Sequence, residues 1–86
     1  MKLKEGFITH MVNGEQIMVA TGATKFSGMV RSNAVAAFIV DCLKEETTIE
    51  DILNSMEEKY NAPREVMKED VEKILTKLRS IDALEE

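Results

Sequence analysis

The chain has 86 residues, with 11 lysines and arginines against 16 aspartates and glutamates, a net charge of −5. This length predicts one small domain over residues 1–86, with little interior to spare for an enclosed active site. The acidic balance argues against a general nucleic-acid-binding protein, because binding to phosphates usually needs a basic surplus. A single cysteine excludes an intramolecular disulfide and favours a reducing, cytoplasmic setting.

The first half of the chain predicts three strands. The stretch GFITHMV, residues 6–12, alternates between two faces, and the Asn13-Gly14 pair after it suits a tight type I′ turn. The returning strand is QIMVA, residues 16–20. After the loop-like TGATKFS, a third strand is predicted over residues 28–32, which is short and contains an arginine, as edge strands often do.

Three helices are predicted next, over about residues 33–43, 48–60 and 63–79. Asn33 is a suitable N-cap for the first helix, which is apolar nearly all round and should therefore be central. Neither this helix nor the N-terminal segment has the apolar run of a membrane span or a signal peptide, so no membrane partner is expected.

The other two helices carry clearer boundary signals. Thr47 to Glu50 matches a capping box, and Pro63 suits the first turn of the third helix. Ile81 and Leu84 resemble a short tail that packs back onto the domain. The order of elements predicts an α+β fold, with a three-stranded antiparallel sheet followed by a three-helix bundle in a winged helix-turn-helix-like layout.

Nothing in the sequence has the pattern of a catalytic centre. His10 is the only histidine and has no nucleophile or orienting partner near it in sequence, and Cys42 lies late in the apolar helix, where it should behave as a small hydrophobe. The paired carboxylates are typical of solvated helix faces, and no zinc, calcium or phosphate-loop spacing is present. We therefore expect no enzyme activity, no catalytic residue, no metal and no cofactor.

A DNA-binding regulator is the first alternative, because the second and third helices are joined as in a helix-turn-helix. The third helix would then read the major groove. Between Arg64 and Arg79 it carries five basic and four acidic residues, and Glu65, Glu69 and Asp70 crowd its N-terminal half. These carboxylates would repel phosphates, so no nucleic-acid partner is expected.

Several stretches resemble one family over nearly the whole chain. Residues 26–43 read FSGMVRSNAVAAFIVDCL. They resemble the part of that family in which a third strand ends in asparagine and continues into a helix of small, aromatic and aliphatic residues. TTIEDILNSMEEKYNAPREVMKEDVEKILTKL resembles two following helices, with an acidic–apolar pair at Asp70-Val71, and IDALEE resembles a closing tail. The chain thus resembles the PqqD-like family of peptide-binding modules, also called RiPP recognition elements.

This resemblance implies a non-catalytic module that captures the leader segment of a ribosomally synthesised precursor peptide. The leader would add to the third strand as an antiparallel strand, in a groove beside the third helix, and would be presented to a modifying enzyme, often a radical SAM enzyme. The contacts expected from the strand are Met29, Val30, Arg31 and Ser32. Those expected from the third helix are Val66, Met67, Asp70, Val71 and Ile74, with Lys73 and Lys77 nearby.

Two points stay open at the level of sequence. Helical spacing sets Val66, Asp70, Lys73 and Lys77 on one flank of the third helix and Arg64, Lys68 and Leu75 on the other, without indicating which flank faces the strand. The protein is expected to be a monomer or a weak homodimer. A second alternative is accordingly a structural subunit that associates with itself through the strand edge.

Overall fold

The computed structural model describes residues 1–20 and 29–86, and it describes residues 29–31 through their backbone. Three helices and two small antiparallel sheets give an α+β fold. In chain order the elements are β1 (Lys2–Leu3), β2 (Phe7–Val12), β3 (Glu15–Ala20), β4 (Met29–Ser32), α1 (Ala34–Cys42), α2 (Ile49–Lys59), α3 (Arg64–Ser80) and β5 (Leu84–Glu85). The bounds of β2, β3 and the three helices differ from the predicted ones by one residue at most at each end. β4 ends at Ser32, as predicted, and Gly28, predicted to begin it, lies outside the described residues.

The larger sheet has the strand order β2-β3-β4. The register of β2 on β3 runs without a bulge from Phe7 opposite Ala20 to Val12 opposite Glu15. Asn13 and Gly14 join the strands with φ angles of 51° and 81°, which is the positive-φ pair that a type I′ turn requires. The predicted hairpin is therefore confirmed.

The core lies between the inner face of this sheet and the helices. α1 contacts β3, β4 and α3, as its almost uniformly apolar sequence predicted for a central helix. α2 and α3 each bury one apolar stripe and pack against each other. The main buried cluster comprises Phe7, Met18, Ile39, Leu43, Ile52, Leu53, Met56, Met67, Val71, Leu75, Leu78, Ala83 and Leu84.

Side-chain caps begin α1 and α2. The Asn33 carboxamide oxygen accepts a hydrogen bond from the Ala36 amide at 2.9 Å, so the predicted cap is confirmed. The predicted capping box from Thr47 to Glu50 is wrong by one residue. Thr48 is the N-cap, and its hydroxyl accepts from the Asp51 amide at 3.1 Å. The shift arises because the Thr47 amide donates instead to the Met1 carbonyl, which keeps Thr47 in the preceding loop.

The two ends of the described chain meet in the smaller sheet, where β1 pairs with β5. The Leu3 amide also donates to the Leu43 carbonyl, and the Lys4 amide donates to the Ala83 carbonyl. Leu84 is buried in the main core, which confirms the expectation that the tail packs back onto the domain. In the described part of the chain, no helix has both the length and the apolar character to cross a membrane.

Candidate functional site

β4 forms one edge of the larger sheet. Its inner side pairs with β3, in a register that runs from Val19 opposite Met29 to Gln16 opposite Ser32. Within residues 1–20 and 29–86, no strand pairs with its other side. An unpaired strand edge exposes a row of backbone donors and acceptors that can bind another extended chain.

The hairpin geometry fixes which amides of β4 face outward. In a hairpin with a two-residue turn, the residues that flank the turn exchange hydrogen bonds, and hydrogen-bonded pairs then alternate along the strands. Val12 and Glu15 flank the turn, so Glu15 and Ile17 direct their backbone groups toward β2. Continuing the alternation across β3, Val30 and Ser32 bond to β3, whereas the backbone groups of Met29 and Arg31 face outward.

A cavity of about 310 Å³ opens where β4 runs into α1. Asn33 directly follows the last residue of β4 and lines this cavity. Asp70 and Lys73 lie on the opposite side, on α3. The other residues that line it are apolar: Val35, Ala36 and Ile39 from α1 and Ile74 from α3. The cavity therefore has an apolar interior with one acidic and one basic side chain, and Asn33 places it at the end of β4.

This cavity identifies the flank of α3 that faces the strand end. Asp70, Lys73 and Ile74 line it directly, and Val66 lies one turn before Asp70 with its side chain 49% exposed. Lys77 is exposed one turn after Lys73. Spacing of three or four residues keeps these residues on one side of the helix.

The opposite flank of α3 faces α2. The Arg64 guanidinium contacts the Glu57 carboxylate at 2.6 Å and the Glu50 carboxylate at 3.2 Å. Hydrogen bonding to Glu57 raises the pKa of Arg64 further above its usual value, so this side chain stays charged. Arg64 is therefore engaged away from the cavity.

Two of the residues predicted to form the groove wall are buried in the core. Met67 is 2% exposed and Val71 is 0% exposed, and both belong to the main buried cluster. The same cluster includes residues of α1 and α2. Ser32 is also buried, and the side chains of Met29, Val30 and Arg31 lie outside the described residues.

Sequence reasoning missed the contribution of α1 to the cavity. Asn33 was predicted only as a cap, and Val35, Ala36 and Ile39 were not singled out. The signal that could have found them is position, because the first turn of a helix that directly follows an edge strand must lie at the end of that strand. Since α1 is apolar on nearly every side, its sequence pattern could not show which residues border a cavity.

The described residues contain no cluster of potential metal ligands. Cys42 is half-buried, and burial, followed by the nearby charge of Asp41, raises the pKa of its thiol. A raised pKa lowers the thiolate fraction and disfavours a nucleophilic role. His10 is exposed on the face of the sheet that points away from the helices.

Known proteins share this fold. The family model described as Coenzyme PQQ synthesis protein D (PqqD) matches residues 11–84. A solved structure described as TbiB1 in complex with the TbiA(beta) leader peptide is similar with a TM-score of 0.81 and 20% identity, over 99% of this chain and 95% of that one. A lasso peptide synthetase B1 complexed with the leader peptide gives a TM-score of 0.74 and 16% identity, over 92% of this chain and 89% of that one. No curated protein matches the sequence.

Proposed function

The chain belongs to the PqqD family, and on that premise we propose that it binds the leader segment of a ribosomally synthesised precursor peptide. The observation that carries the proposal is the outer edge of β4, unpaired among the described residues, beside the cavity between α1 and α3. Two proteins of similar fold have been solved with leader peptides, which supports the same kind of ligand here.

The leader adds to β4 as a further antiparallel strand. Hydrogen bonds to the outward backbone groups of Met29 and Arg31 supply affinity that does not depend on leader sequence. Side chains of a strand alternate between two faces, so every second leader residue lies toward α1 and α3. One of these enters the cavity, whose lining by Ala36, Ile39 and Ile74 selects an apolar side chain.

Charge at the mouth of the cavity adds selectivity. Lys73 lies at the cavity and Lys77 one turn beyond it, and both are exposed. An acidic residue of the leader two positions from its apolar anchor, on the same face of the strand, would be attracted to these lysines. Exposed charges of this kind affect association rate and partner choice more than total affinity. Val66, exposed on the same flank, extends the apolar surface toward the start of α3.

The protein presents the bound peptide and does not itself catalyse a reaction. Holding the leader near a modifying enzyme, such as a radical SAM enzyme, raises the effective concentration of the rest of the precursor at that enzyme. This role fits a cytoplasmic protein with a winged helix-turn-helix-like arrangement that uses its sheet edge, rather than α3, for recognition. The acidic residues of α3 support a peptide over DNA as its ligand, since Glu65, Glu69 and Asp70 would repel phosphates.

The test compares two substitutions at one position of β4. Arg31→Pro removes the outward amide and places proline where an edge strand tolerates it, whereas Arg31→Ala removes the same side chain and keeps the amide. We expect Arg31→Pro to lower affinity for the leader encoded beside the gene at least tenfold more than Arg31→Ala does, measured by calorimetric titration. Equal affinities in two folded variants would refute binding through this edge.

A further inference from the structure

The opposite edge of the same sheet has the features of a second pairing surface. β2 spans six residues, FITHMV, and contains no lysine, arginine, aspartate, glutamate or proline. Its register on β3 has no bulge, and within the described residues no strand pairs with its outer side. Natural edge strands usually carry charges, proline or bulges that prevent pairing with another chain. None of these protects β2.

The outward face of β2 is also apolar. Ile8 and Val12 are each 46% exposed, and the exposed His10 lies between them. Ile17 and Val19 stand opposite His10 and Ile8 on β3 and are half-buried. Among the described residues, none of these four apolar side chains is part of the main buried cluster.

We propose that β2 pairs antiparallel with β2 of a second copy of this chain, about a two-fold axis at His10. The alternation that starts at the Asn13-Gly14 turn directs the backbone groups of Thr9 and Met11 outward. Thr9 of each copy then exchanges hydrogen bonds with Met11 of the other. The two larger sheets join into one continuous sheet.

The side chains select this register among those that the backbone permits. An axis at His10 sets Ile8 of each copy opposite Val12 of the other on the outward face, which gives two apolar cross-strand pairs. An axis at Thr9 would set Ile8 opposite His10 and Val12 opposite Gly6, and an axis at Met11 would shorten the paired stretch. The pattern of β2 is therefore complementary to itself, which favours a second copy over an unrelated strand as the occupant.

The size of this contact sets its strength. Five paired residues on each strand, Ile8 to Val12, span about 17 Å, and such an edge buries far less than the roughly 800 Å² per partner of a stable interface. We therefore expect a weak dimer, with a dissociation constant on the order of 100 µM. Because β4 lies at the other edge of each sheet, both leader-binding edges stay open at the outer ends of the joined sheet. The proposal is thus independent of the proposed function.

Cysteine crosslinking tests the register directly in a Cys42→Ala background. Residues opposite each other in a non-hydrogen-bonded antiparallel pair have Cα atoms about 4.5 Å apart, within disulfide range. The His10→Cys variant should therefore form a disulfide between two copies at least tenfold faster than the Ile8→Cys or Val12→Cys variant. In those two variants the cysteines of the two copies are offset by four residues along the strands, which separates their Cα atoms by about 13 Å. Ile8→Cys and Val12→Cys should crosslink to each other when mixed. Equal rates at the three positions, or no dimer, would overturn the proposal.

Sedimentation equilibrium without any crosslink gives a second readout. Ile8→Lys places a charge in the paired face and should weaken self-association at least tenfold. Asn61→Lys adds the same charge in the exposed turn before α3 and should leave self-association unchanged. A chain that stays monomeric at millimolar concentration, or two variants with equal effects, would contradict the pairing of β2.

Discussion

At the scale of single residues, the start of α2 shows how one hydroxyl sets a boundary. Thr48 accepts from the Asp51 amide, whereas the Thr47 hydroxyl makes only a 3.4 Å contact with the Thr48 carbonyl. The sequence offers two adjacent threonines and two adjacent acids, so a cap was predictable here but its exact residue was not. The choice depends on a long-range bond from the Thr47 amide to Met1, which local sequence cannot reveal.

Substitution of the two threonines separates these assignments. Thr48→Ala should lower the free energy of unfolding by about 1 kcal/mol, because it leaves a first-turn amide of α2 without its acceptor. Thr47→Ala should cost less than about half of that, since its hydroxyl caps no helix. Urea unfolding followed by circular dichroism measures both. A larger loss for Thr47→Ala would mean that the capping box begins one residue earlier, as its sequence motif indicates.

At the scale of elements, one flank of α3 borders the cavity and the other faces α2. Its apolar stripe was predictable from 3.6-residue periodicity, and so was the division into two charged flanks. The orientation of those flanks was not, because it depends on how α1 and α3 pack. The same packing explains why Met67 and Val71 are core residues, while the cavity is lined by Asp70, Lys73 and Ile74.

Reversing the charge of one lysine on each flank tests this orientation. With an acidic leader, Lys73→Glu should lower affinity about five- to tenfold at low salt, because it replaces attraction at the cavity mouth with repulsion. Lys68→Glu makes the same change on the other flank and should have little effect. Titrations at two salt concentrations should show the Lys73→Glu effect shrinking as screening increases. Similar losses for both variants would mean that the leader does not contact the cavity flank.

At the scale of the whole molecule, the fold closes through a contact between its two ends. Neither β1 nor β5 was predicted, because each has only two residues and so shows no measurable periodicity. The burial of Leu84 was predictable from its apolar character, but its pairing with Leu3 was not, since nothing local links residues so far apart in sequence. β2, β3, α2 and α3 were predictable because each repeats its apolar positions over several residues.

The contact between β1 and β5 should contribute much of the free energy of unfolding. Leu84 is 6% exposed and lies in the main core, so Leu84→Ala should lower the free energy of unfolding by about 2–4 kcal/mol. That loss is a large part of the few kcal/mol expected for a domain of this size. Glu85→Ala, in the same strand but exposed, should change it by less than about 0.5 kcal/mol. Chemical denaturation compares the two, and equal small effects would show that the β1–β5 contact contributes little.

The sheet as a whole offers two unlike edges, one beside a cavity and one that is complementary to itself. Amide hydrogen exchange, measured residue by residue by NMR with and without the leader, tests the role of β4 most directly. We expect the leader to slow exchange of the Met29 and Arg31 amides at least tenfold and to leave exchange of the Thr9 and Met11 amides on β2 unchanged. Unchanged exchange at Met29 and Arg31 under saturating leader, or slowing at β2 alone, would contradict leader binding at β4.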